Sequence, residues 1–219
     1  MKTVGSILYL LCTSLVSLWC VTAFIVPEKP AFKGLPKPER VSIIFAGDVM
    51  MHTPQIAKAK RNNGYDFTSC FKYVKPLFEK ADFTVANLET TLVDNPPYSG
   101  YPTFRSPAQL AQALAVAGVD VAVTTNNHSL DGGAKGVGST IDILEQYGVK
   151  STGTFRDSVD YKARNPLWLS KKGLKIALLA YTYGTNGLAV PSGKEYLVNV
   201  WPCSGNDPGK DSKYQVYKY

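Results

Sequence analysis

Four short runs rich in β-branched and small apolar residues, at 41–46, 83–88, 119–124 and 149–152, recur along the chain with helix-period segments between them. A strand, a crossover helix and a further strand leave the two strands parallel and put the helix on a face of the sheet. The alternation therefore predicts an α/β domain on a mainly parallel sheet. Residues 54–60 and 68–80 read as helical, the second with Cys70 or Phe71, Val74 and Leu77-Phe78 at helix spacing. A third helix is expected from Ser106 as cap and Pro107 at the first helical position to Ala117, before Gly118. A fourth, with Val137, Ile141, Leu144 and Tyr147 on one stripe, ends at Gly148. Residues 167–169 and 174–181, joined by Ser170-Lys171-Lys172-Gly173, read as a hairpin. After Ser192 no further strand-helix unit follows, and residues 201–219 read as an irregular tail.

The amino terminus carries a targeting signal. After Lys2, residues 4–26 contain no charge, and a proline- and lysine-rich linker occupies 27–40. A run of that length can span a hydrocarbon core, which takes about 20 residues. Two readings stay open: an uncleaved signal anchor, favoured by the length and by Trp19, and a signal peptide cut near Ala23, where residues are small. Either way the domain at 41–200 faces the extracytoplasmic side. Cys70 and Cys203 could pair in an oxidising compartment, and two isolated buried thiols are the simpler expectation.

The 219 residues suffice for one well-buried domain, and 45% hydrophobic content is ordinary for a globular chain. The net charge of +7 fits an anionic partner. The lysines are scattered and not interleaved with aromatics, which argues against nucleic acid.

Three predicted strand ends carry polar chemistry. Asp48 follows the first run directly after Gly47. On the second, Asn87 and Glu89 point to one side and Leu88 to the other. Asn126-Asn127-His128 follow the third, with Asp131 just beyond, and the other histidine, His52, lies near Asp48. Parallel strands end at one rim, where open α/β sheets bind ligands. Carboxylates and a carboxamide oxygen there could ligate a hard cation, while an imidazole could protonate a leaving oxygen or hold an anion. Taken singly, such residues more often cap helices or shape turns. The ordered set points to function.

Four segments, Phe45-Ala46-Gly47-Asp48, Ala86-Asn87-Leu88-Glu89, Asn126-Asn127-His128-Ser129-Leu130-Asp131 with Gly136, and residues 177–187 from Ala177 to Gly187, together resemble the CapA-type capsule and poly-gamma-glutamate biosynthesis family. That resemblance implies a metallophosphatase-like layered domain over 41–200. By it, Asp48 and Glu89 would be metal ligands, with Glu89 bridging two ions and Asn127 holding the second. His128 would be the catalytic group that meets a phosphate-like group or leaving oxygen, and Asn87, Asn126 and His52 would contact substrate. The implied cofactor is one or two divalent ions, manganese, zinc or iron. The implied partners are an anionic envelope polymer, other membrane subunits of capsule synthesis, and the membrane itself through the amino-terminal helix.

Relatives of this kind add later His-Trp-Gly-x-Glu-like and Gly-Ser-His-Pro-His-like segments, whereas no histidine follows His128, and Met50 stands where an Asp-x-His pattern would put one. The sequence is therefore read as the front part of the domain, C-terminally truncated. Two alternatives to a metal-dependent hydrolase follow: a non-catalytic subunit that binds the anionic polymer, or a truncated inactive copy.

Overall fold

The computed structural model describes residues 39–201. The apolar segment, nearly all of the linker and residues 202–219, including Cys203, lie outside the described residues. The chain runs β1 (Ile43–Val49), α1 (Thr53–Ala59), β2 (Lys60–Arg61), β3 (Gly64–Tyr65), a 3-10 turn (Thr68–Phe71) and α2 (Lys75–Phe78). It continues through β4 (Phe83–Leu88), β5 (Thr91–Val93), β6 (Arg105–Pro107), α3 (Gln109–Ala117), β7 (Val121–Val123) and α4 (Gly133–Gln146). Last come β8 (Lys150–Thr152), α5 (Ser158–Arg164), β9 (Leu167–Lys171), β10 (Leu174–Leu178) and a short 3-10 turn (Glu195–Leu197).

The main sheet has four parallel strands in the order β1-β4-β7-β8. Because spatial order follows chain order, successive right-handed crossovers place the connecting helices on one face. There Ala86, Leu88 and Ala122 of the strands pack with Ile56 of α1, Leu110 and Leu114 of α3, and Ile143 and Leu144 of α4. The alternate residues Val85 and Val121 face the antiparallel β9-β10 hairpin through Leu169, with Ile176 and Leu178 beside it. Burying a leucine such as Leu110, Leu114 or Leu144 contributes about 1.5–3 kcal/mol, so the helix-covered face carries the larger share of the core.

The α/β class and the parallel sheet agree with the sequence reading. Several local expectations are corrected. The helix expected over 68–80 is broken into a 3-10 turn and the single turn of α2. Pro76 explains the break, because its ring would clash with the carbonyl of Lys72 in a continuous helix. Ser106 and Pro107 do not open α3 but lie in β6, parallel to β5. The buried Ser106 hydroxyl is spent on Thr90 Oγ1 at 2.9 Å, and the helix starts after Ala108. Cys70 is exposed, not the buried thiol expected.

Strand β5 is fastened to α4 by hydroxyls. The Leu92 N–H donates to Thr140 Oγ1 at 2.9 Å, and Ser139 Oγ donates to the Leu92 carbonyl at 2.8 Å. This packing needs bare backbone on α4, since a Cβ at Gly132 or Gly136 would come within 2.7 or 2.8 Å of the Thr91 methyl.

Candidate functional site

Asp48 reaches the rim through a change of register. Ala46 pairs with Ala86, but the next pair is Asp48 with Asn87, so Gly47 is an extra residue in a β-bulge. Without the bulge, Asp48 would lie opposite Leu88 and point toward the helix-side core. With it, the carboxylate joins the face that already holds Asn87 and Glu89. Asn87 Nδ2 donates to Asp48 Oδ1 at 2.8 Å and to Glu89 Oε2 at 3.3 Å.

Asn126 ties these strand ends to the loop after β7. Its Nδ2 donates to Asn87 Oδ1 at 3.1 Å and to the Leu88 carbonyl at 2.9 Å, and its Oδ1 accepts the His128 N–H at 3.0 Å. His128 is buried. Its Nδ1 lies 2.8 Å from Asp131 Oδ2, and the Asp131 side chain is 1% exposed. The same carboxylate oxygen accepts the Phe104 N–H at 2.6 Å. An ionised Asp131 only accepts, so Nδ1 carries a proton and Nε2 is left as the exchangeable nitrogen. Nε2 stands 3.8 Å from Glu89 Oε1.

Burial first, and then the neighbouring charge of Asp48, raise the Glu89 carboxyl above its ordinary value, while His128 pulls it down. The two carboxyl groups share the Asn87 amide as a common donor. Like charges pressed together in a half-buried crevice favour a proton or a cation between them.

Of the residues expected at the site, Asp48, Asn87, Glu89, Asn126 and His128 form one hydrogen-bonded or ion-paired cluster. Asn127 is adjacent but faces elsewhere: its exposed carboxamide donates to Asn186 Oδ1 at 3.2 Å. His52 stands one ring away. Its imidazole meets Phe104 edge to face with centroids 4.9 Å apart, and Phe104 meets His128 at 4.6 Å. Three contributors lacked a role in the sequence reading. Asp131 orients His128, Phe104 walls it, and Asn186 brings Nδ2 to 3.1 Å from His128 Nδ1 and 3.4 Å from Nε2. Asn186 sits in the left-handed region at φ 51°, which asparagine tolerates, and Asp131 was legible from its i+3 spacing to His128.

The donor set fits one cation at the Asp48–Glu89 pair, because a positive charge there relieves the like-charge contact that Asn87 now bridges. Asn127 gives its Nδ2 to Asn186 and keeps its Oδ1 lone pairs, the atoms a cation would take. Among the described residues, no three His, Cys, Asp or Glu side chains form a ready-made cage. No helix among the described residues is long and apolar enough to cross a membrane.

A family model described as bacterial capsule synthesis protein PGA_cap matches residues 42–214. No curated protein matches the chain at a significant level.

Proposed function

Because the chain belongs to the bacterial capsule synthesis family PGA_cap, we propose that it is a membrane-anchored, extracytoplasmic protein of capsule polysaccharide or poly-gamma-glutamate assembly with a metallophosphatase-like site. The observation that supports this most is the convergence of Asp48, Asn87, Glu89, Asn126 and His128 at the carboxyl ends of parallel strands. The reaction class is hydrolysis or transfer at a phosphoester or amide-like bond. The polymer and other membrane subunits of capsule synthesis are the partners.

In this reading His128 is the acid or base. Asp131 fixes the proton on Nδ1, which turns Nε2 toward the crevice and keeps the ring from rotating. Nε2 can then give a proton to a leaving oxygen or take one from an attacking water. Asn87 and Asn126, whose amide hydrogens are donated to Asp48, Glu89, the Leu88 carbonyl and, from Asn126, Asn87 Oδ1, hold the strand ends at fixed separation around the substrate. Phe104 excludes water from one side of the imidazole. Asp48 and Glu89 would hold the divalent ion, which when bound screens substrate anions and lowers the pKa of a bound water to about 7.

General acid–base groups typically contribute about 10²–10⁴ in rate. His128→Gln should therefore cut turnover of a chromogenic phosphate ester by the purified full chain by roughly 100-fold or more, with the fold kept. It should also fail to restore surface polymer to a capsule-deficient strain. Restoration equal to the unaltered chain would remove the catalytic reading. The net charge of +7 favours a second reading, a non-catalytic binder of anionic polymer. Retained polymer binding by His128→Gln that weakens as salt rises would select it.

A further inference from the structure

Along β10 and the segment that leaves it, exposure alternates with period two. Residues 177, 179, 181 and 183 are exposed and 176, 178, 180 and 182 are half-buried, so one face of an extended chain looks outward. The inward face meets the main sheet through Leu169, Ile176 and Leu178. The outward face is not polar, as a solvated sheet face usually is. Trp168, opposite Ala177 in register, is 57% exposed, and Leu179 is 55% exposed. Tyr181 follows, with Trp201 edge to face against it at 5.5 Å, and Tyr183 is exposed beyond.

The charge beside this row has one sign. No Asp or Glu occurs from Asn165 to Lys194, while Lys171 and Lys175 are exposed on the hairpin. Lys172 in the turn donates to the Arg40 carbonyl at 2.9 Å, so the chain comes into the domain beside this hairpin. Tryptophan and tyrosine, apolar at one end and polar at the other, suit the headgroup boundary of a bilayer, and lysines beside them are drawn to anionic headgroups. A glycan, whose hydroxyls call for acceptors, finds no carboxylate in this stretch.

We propose that the outward face of the β9–β10 hairpin, continued by Tyr181 and Trp201, docks on an anionic lipid surface. The inference rests on the membrane-anchored reading above and not on the chemistry at the rim.

The full chain carrying Trp19→Phe and Trp201→Phe keeps Trp168 as its one indole. Reconstituted in phosphatidylcholine vesicles that contain phosphatidylglycerol, Trp168 should be quenched by lipids brominated near the headgroup and shielded from acrylamide. Omitting phosphatidylglycerol, or changing Lys171→Gln and Lys175→Gln together, should lower the ratio of docked to free hairpin about tenfold or more, since each lysine near an anionic surface counts for about fivefold. Circular dichroism should stay unchanged. Trp168 open to acrylamide in chains that float with the vesicles would overturn the inference and leave the anchor standing. Shielding without quenching by brominated lipid would also overturn it and assign the face to protein: a second copy if the shielding falls on dilution, residues 202–219 if it falls on their removal. Shielding that needs added capsular polysaccharide would overturn it in favour of a glycan. Chains that fail to float with the vesicles would overturn both readings.

Discussion

The two halves of the rim are held in place by different physics. Asp48, Asn87 and Glu89 sit on strands, and their directions follow from register and alternation. His128 sits on a loop, and its direction follows from bonds within a few residues, to Asp131 and Asn126. The strand half is therefore sensitive to the number of residues before it, and the loop half to the identity of its side chains. Asn126 is where the two meet.

Deleting Asn87 should have the largest effect. It would turn Glu89 toward the helix-side core and remove the amide that bridges the two acids, at a cost of about 3 kcal/mol; loss of Gly47 itself would only close the bulge and keep Asp48 opposite Asn87. Gly47→Ala, by contrast, should shift stability by no more than about 0.5 kcal/mol, because no atom lies within 4 Å of the added Cβ. Equal denaturation midpoints for the deletion and the unaltered chain would show that register does not place the acid.

Asn126→Ala should come next, at roughly 2 kcal/mol in urea unfolding, because the Leu88 carbonyl and the His128 N–H both lose a buried partner. If the halves are independent, the ring signals of His128 will keep their shifts in that variant. A change in them is the expected result.

Asp82, at the far end of the strands, should give the smallest effect. The Ser42 backbone N–H, and then Lys172, hold its carboxyl down to about 2, below the ordinary 3.8. A depressed value means that its contribution is present above pH 3.8 and is lost as pH falls through about 2. Asp82→Asn should flatten the acid side of a melting curve and leave both halves of the rim unaltered.

The contrast also explains what could be read from the sequence. Residues 83–88 announce a strand, and alternation puts Asn87 and Glu89 together, so that part of the rim was legible. The bulge at Gly47 was not, since one extra residue leaves no compositional mark. In the loop after β7 no period applies, so the partner of the Asn127 amide, Asn186, 59 residues away, could not be read from spacing. The break at Pro76 and the placement of Ser106-Pro107 in a strand show local signals yielding to tertiary bonds.

Thr140 and Ser139 do for Leu92 what a neighbouring chain segment would otherwise do, since they take up its amide and its carbonyl together. A β segment closed in this way has nothing at that residue to offer a stranger, so it resists being extended by another molecule. The two hydroxyls thus act as a seal against self-association, and the seal belongs to a helix whose first turn also packs beside the imidazole loop.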